Sequence, residues 1–207
     1  MSIGILGMKV GMTQIFDKSG LAVPTTIIKA GPCVITQIIE AGVNDEHSKI
    51  QIGFSKKKEK LIKKSEIGHF EKSNSTPYHF IKEYKVNNIE GKFLGQVITV
   101  DDFVGFEFVN VSGRSIGKGF TGLQKRHNFA RGPMSHGSKN HRLPGSIGAG
   151  TTPGRVLPGK KMAGHLGNRV CTIRKVRIVG IYKEDNLIFL KGAVQGKRGT
   201  LLSIRPY

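Results

Sequence analysis

The stretch that decides how this chain is read runs from Arg131 to Arg169, RGPMSHGSKNHRLPGSIGAGTTPGRVLPGKKMAGHLGNR. It has no acidic residue and almost no large apolar one, and a glycine or proline interrupts it every few positions. A segment so poor in apolar side chains buries too little surface to offset the entropy of ordering it. Neither water nor its own side chains are expected to hold it in one shape, so a partner is expected, and the rest of the sequence indicates which kind.

Charge narrows the choice. Lys and Arg total 33 against 14 Asp and Glu, a formal charge of +19, well beyond what solubility alone requires. The partner should be polyanionic. A membrane reader would show a basic amphipathic helix or an anchor, and no apolar run approaches the roughly 20 residues of a spanning helix. With 207 residues and 38% hydrophobic content, one good core with an appendage is expected rather than two full domains. The N-terminus, MSIGILGMKVGMTQIF, reads as strand from the start and lacks the features of a signal or transit peptide. Cys33 and Cys171 show no CxxC spacing and read as two reduced thiols. Without a secretory route, the triplets at Asn74 and Asn110 read as chance glycosylation matches.

Outward from the quoted stretch, the chain is a series of short strands. Ile3 to Phe16, Ala22 to Lys29, Pro32 to Ala41 and Lys49 to Phe54 are rich in Ile, Val and Thr, and are broken by Asp17-Lys18-Ser19-Gly20 and Ala30-Gly31-Pro32. A polar insert then runs from Lys56 to about Tyr84, with helical character around Ser65 to Lys72. Strand character returns at Gln96 to Phe103, Glu107 to Val111, Val170 to Tyr182, Leu187 to Val194 and Thr200 to Ile204. Lys183 to Asn186 reads as a hairpin loop. Many short strands without alternating long helices predict a small barrel or sandwich, interrupted by the basic stretch.

The chemical motifs in that stretch are weak. Gly117 to Gly122 spells GxGxxG after a strand, but no carboxylate follows for a ribose, so a dinucleotide site is not expected. Gly113 to Gly119 is one residue short of a phosphate loop and puts Gly119 where a metal-binding hydroxyl belongs. His127, His136, His141 and His165 lack ligand spacing and carboxylate or thiolate companions, so no metal is predicted. Ser135, His136 and Ser138 lack an orienting acid, so no catalytic residue is assigned. Asp101-Asp102 reads as turn chemistry at a strand end.

What remains is cationic. No Asp or Glu occurs between Glu107 and Glu184. The candidate RNA contacts are Arg114, Lys118, Lys125, Arg126, His127, Arg131, His136, Lys139, His141, Arg142, Gly145, Gly148, Arg155, Lys160, Lys161, His165 and Arg169. Basic side chains neutralise phosphates, glycine allows close backbone approach, and proline stiffens the path between. No recognition helix, finger or zipper is visible, so structured RNA suits the segment better than DNA. Two rivals are a nucleotide-using enzyme, which needs a carboxylate or metal near the loop, and a DNA-compacting protein, which would bind duplex DNA and structured RNA alike.

Three segments, ILGMKVGMTQIF, GKGFTGLQKRHNFARGPMSHGSKNHRLPGSIG and PGRVLPGKKMAGHLGN, closely resemble the L-three family of large-subunit ribosomal proteins. The short insert is similar to that of the bacterial or plastid type. The resemblance implies a mainly β fold: a small six-stranded, translation-factor-like β-barrel from residues 1–112 and 170–207, an inserted small α/β subdomain with its polar insert at about 55–95, and a long irregular basic extension over 113–169. It also implies binding to large-subunit RNA near the 3′ end, an early role in assembly, and contacts with neighbouring ribosomal proteins. The loop would reach toward the peptidyl transferase centre, deepest at His136 to Thr152. No cofactor, small-molecule substrate or catalytic activity is implied, and the expected location is the ribosome of a bacterial cytoplasm or plastid stroma. Ala149 stands where some relatives carry a methylated glutamine, so that modification does not transfer.

Overall fold

The computed structural model describes residues 3–42 and 47–207; Met1 and Ser2, read above as part of the N-terminal stretch, lie outside them. In chain order the elements are β1 (Ile5–Phe16), β2 (Ala22–Ala30), β3 (Cys33–Ile39), β4 (Ser48–Lys56), α1 (Lys64–Glu71), β5 (Tyr78–Val86), β6 (Val97–Ile98), β7 (Phe108–Arg114), β8 (Phe120–Thr121), α2 (Leu123–His127), β9 (Gly164–His165), β10 (Val170–Tyr182), β11 (Leu187–Lys191) and β12 (Leu201–Pro206). The fold is mainly β and antiparallel, as expected. Two units separate: the N-terminal part up to Arg114 together with Val170–Tyr207, and Ser115–Arg169.

In the first unit, six strands close in the order β1-β12-β7-β10-β11-β2. Closure depends on β1, which pairs with β2 along nearly its whole length and with β12 through Ile5 to Met8. Register shifts in β1 and β10 bend those strands, as a closed sheet requires. At the β10 shift, Lys175 takes φ +54° and its N–H donates to Asn110 Oδ1 at 3.0 Å. Ile5, Ile28, Val109, Val111, Ile188, Leu190 and Ile204 are fully buried. The expected turns form: Gly20 N–H donates to Asp17 O at 2.8 Å, and Asn186 N–H to Lys183 O at 3.2 Å.

A second sheet in this unit has the order β5-β4-β3-β6. Helix α1 buries Phe70, whose ring meets Tyr78 edge-on at 5.9 Å. Two sequence expectations change here. The polar insert to Tyr84 contains β5, where YHFIKEYKV alternates strictly: even-numbered positions are buried or half-buried and odd-numbered ones exposed. Its charged residues hid that period. Gln96 to Phe103 keeps only two strand residues, because Thr99 and Asp102 cap a 3-10 turn over Val100–Phe103. The Asp101-Asp102 pair serves that turn, and Asp101 also meets Lys183 Nζ at 2.8 Å. The two sheets share a core in which Tyr84 OH and Ser203 Oγ lie 2.6 Å apart.

The second unit is not irregular throughout, which corrects the expectation for 113–169. Gly113 and Arg114 belong to β7, and beyond them Ser115–Thr121 runs antiparallel to Gly164–Arg169. Ser115 N–H donates to Arg169 O at 2.9 Å, Lys118 N–H to Leu166 O at 2.9 Å, and Leu166 N–H to Gly119 O at 3.0 Å. This stem buries Thr121 and Leu123, and α2 ends on Asn128 in the left-handed region at φ +58°. Main-chain pairing needs few apolar side chains, so composition did not reveal it. A five-residue helix is also too short for periodicity to register.

Two outcomes follow from this packing. Burial pushes the Cys33 thiol up to about 12 from 9.0, opposed only in part by its bond to Leu6 O. Below pH 9.0 the thiol is neutral in both folded and unfolded chains. Above it the unfolded chain loses the proton first, so stability should fall with rising pH until about 12. Denaturant titrations should show a shallower alkaline loss in Cys33→Ala, and equal slopes would refute this. At Gly167 the backbone has φ +76° and an added Cβ would run into the Ile116 carbonyl. Gly167→Ala should weaken the stem by roughly 1–3 kcal/mol, read as faster amide exchange at Lys118 and Leu166. Gly137→Ala, with φ +74° and no neighbouring atom within 4 Å, should leave those amides unchanged.

Candidate nucleic-acid interface

The sequence-nominated residues fall into three places. Arg114 is the last residue of β7 in the first unit. Lys118, Lys125, Arg126, His127, His165 and Arg169 belong to the stem and α2. Arg131, His136, Lys139, His141, Arg142, Gly145, Gly148, Arg155, Lys160 and Lys161 lie on the tip between them.

In the stem the basic residues also brace the chain. Arg126 Nη1–H donates to Met162 O at 2.6 Å, and His127 Nε2 lies 3.1 Å from the same oxygen. A carbonyl only accepts, so this contact makes Nε2 the protonated nitrogen of His127. The same reasoning applies to His165 Nε2 on Gly167 O at 3.1 Å and His141 Nδ1 on Pro133 O at 3.0 Å. Three of the four histidines therefore hold main chain. Lys125, Arg126 and His127 form the last turn of α2, where cations favour the carbonyl end of a helix. Arg126, His127, His165 and the run Leu166 to Arg169 line a recess of about 340 Å³.

The tip is a succession of turns. Gly132 N–H donates to His141 O at 3.1 Å, and Gly154 N–H to Gly150 O at 3.1 Å. At Gly132 a Cβ would strike the Asn140 carbonyl, so only glycine fits this turn. From Arg142 through Ala163 every residue is exposed. Since Ser115–Arg169 contains no carboxylate, its ammonium and guanidinium groups have no counter-charge within the unit. The first unit differs: Lys57 meets Glu66 at 2.8 Å, and Lys57 holds the Glu66 carboxyl below its usual range.

Charge-based reading missed the apolar members of this surface. Phe120 is 81% exposed, and Met134, Leu143 and Leu157 each expose more than half their surface among the cations. Aliphatic and aromatic faces beside cations suit ribose and base surfaces. The signal was present in GKGF and in HRLPG, where single apolar residues sit among Gly, Pro and basic ones.

The enzyme-like motifs meet ordinary ends. The Lys118 N–H and the Gly119 carbonyl of GxGxxG are used in the stem. Ser138 Oγ accepts from Asn140 N–H at 3.3 Å. Among the described residues no group of three His, Cys, Asp or Glu forms a metal-like cluster, and no helix is long and apolar enough to cross a membrane.

Residues 50–186 match the family model described as Ribosomal protein L3. The chain is 56% identical over 206 residues to "Large ribosomal subunit protein uL3c" of Phaeodactylum tricornutum, covering all of this chain and 99% of that protein. It is 57% identical over 206 residues to "Large ribosomal subunit protein uL3" of Synechococcus sp., covering all of this chain and 96% of that protein. Against the protein of the same name from Gloeothece citriformis it is 58% identical over 207 residues, all of this chain and 97% of the other. This end-to-end similarity and the family match show that the chain belongs to the ribosomal protein L3 family, whose members are structural proteins rather than enzymes.

Proposed function

We propose that the chain is a structural constituent of the large ribosomal subunit whose translation-factor-like barrel anchors it while Ser115–Arg169 penetrates folded RNA. The proposal includes binding of 23S-type RNA near its 3′ end, an early role in assembly, contacts with neighbouring ribosomal proteins, and a tip directed toward the peptidyl transferase centre. The ribosome in question is that of a bacterial cytoplasm or a plastid. One observation carries the reading: the run from Arg142 through Ala163 is exposed throughout and belongs to a unit without a single carboxylate. Such a surface requires external anions, and structured RNA supplies them at the density of its backbone.

Two classes of side chain do different work in this reading. Arg142, Arg155, Lys160 and Lys161 neutralise phosphates, which sets affinity and its salt dependence. The glycines set clearance. At Gly148 the nearest atom to an added Cβ is Arg155 O at 3.9 Å, so the chain itself has room for a side chain there.

The test is binding of the full chain to large-subunit RNA across a salt series. Log affinity should fall steeply with log salt, and Arg142→Gln or Lys160→Gln should each flatten the slope by roughly 0.7–0.9. Gly148→Val should melt like the wild type, because its own chain accommodates it. Within an RNA crevice, overpacking costs about 1–3 kcal/mol, so its affinity should drop roughly five- to hundredfold. Wild-type affinity in Gly148→Val would remove the deep-insertion part of the proposal, and a flat salt response in the wild type would remove all of it.

A further inference from the structure

The first unit carries a recess of about 340 Å³, lined by Lys82 of β5, by Ser112, Gly113 and Arg114 at the end of β7, and by Val170 and residues 200–203. No carboxylate is among the residues that line it. Lys82 Nζ stands 5.7 Å from the centroid of the Tyr84 ring, and Arg205 Cζ stands 4.5 Å from the same centroid. Two cations thus share one fully buried aromatic ring, and neither has a carboxylate partner among the described residues. Burial first, and then repulsion from Arg205, hold the Lys82 ammonium below the usual lysine range.

The hydroxyls add donors. Ser112 Oγ and Thr172 Oγ1 are 2.8 Å apart, and Tyr84 OH and Ser203 Oγ are 2.6 Å apart. Of these, Ser112 and Ser203 line the recess, and each is steadied by a hydroxyl behind it. Leu201 and Val170 give one wall an aliphatic surface. A site with a half-buried ammonium, the hydroxyls of Ser112 and Ser203, aliphatic residues and no acid fits a group with anionic oxygens joined to a sugar.

We propose that this recess binds a ribose–phosphate segment of RNA backbone, giving the first unit an anion site of its own in addition to the extension. The proposal rests on the RNA-binding reading above and identifies a contact which that reading does not contain. Arriving phosphate oxygens would supply a counter-charge to Lys82, with Arg114 as the second cation lining the recess. Lys82 is half-buried and lines the recess, which leaves it accessible to such a ligand.

The test uses the full chain with large-subunit RNA, comparing wild type, Lys82→Gln, Lys82→Arg and Arg142→Gln. Lys82→Gln should weaken binding about tenfold at moderate salt and reduce the salt slope by roughly 0.7–0.9, while Lys82→Arg restores most of both. Phosphorothioate interference should lose a discrete set of phosphates in Lys82→Gln that differs from the set lost in Arg142→Gln. Thermal melts of the variants check folding, and should Lys82→Gln melt early, Arg114→Gln, which changes the other cation lining the recess, must give the same interference loss. Unchanged affinity, slope and interference in Lys82→Gln overturn the site while leaving RNA binding by the extension intact. Absence of RNA binding in the wild type overturns both.

Discussion

The hydrogen-bonded pairing of β7 with β10 is the constraint on which the rest depends. Arg114 and Val170 are direct partners in that ladder, so the barrel wall closes at the same point where the extension leaves and returns. An antiparallel pair brings its partners to about 4.5–5.5 Å, so the ends of the inserted unit are fixed however long it is. Loop-closure entropy grows only slowly with length. A barrel can therefore carry a long insertion between two adjacent strands without giving up its own ladder.

Below that point the main chain continues the pairing through the stem, and the change in character comes at the tip. In the stem, glycine is required by the chain itself: at Gly167 a side chain would meet the Ile116 carbonyl. At Gly148 nothing in the chain demands glycine. The stem is thus shaped by continuous main-chain pairing, whereas the tip is a series of separate turns, some of which need glycine, as at Gly132, and some of which do not. The same boundary appears in the electrostatics. Acids that pair with lysines belong to the first unit, and the extension holds no acid to neutralise its positive charge.

Much of this was legible in the sequence because the signals were local. β10 runs from Val170 to Tyr182 as read, and the turns at Asp17 to Gly20 and Lys183 to Asn186 form where glycine, asparagine and aspartate predict them. β5 was hidden because Lys82, Glu83 and Lys85 made the segment look solvated, although its period of two was present. Charge density obscured a pattern that burial made plain. The stem was missed for a different reason: its stability comes from backbone pairing between Ser115–Thr121 and Gly164–Arg169, a long-range register that no window of side chains encodes. The bracing histidines were likewise unreadable, since each holds a carbonyl whose position depends on the folded path.

A chain this basic needs its cations kept apart from its own acids, and the architecture achieves this by segregation. If the acids were spread evenly, the arginines of the tip would find intramolecular partners. Confining the carboxylates to the strand-rich unit leaves the tip with no internal neutralisation at any length. The cost is self-repulsion, which a solvated, turn-rich segment tolerates because its charges stay in high dielectric and are screened by salt. A compact domain with the same charges would have to bury some of them unpaired. Extension and positive charge are therefore one solution rather than two features, and Lys82 and Arg205 on Tyr84 are the exception: there the barrel holds two cations against one aromatic ring, whose negative face offsets part of their charge where no acid does.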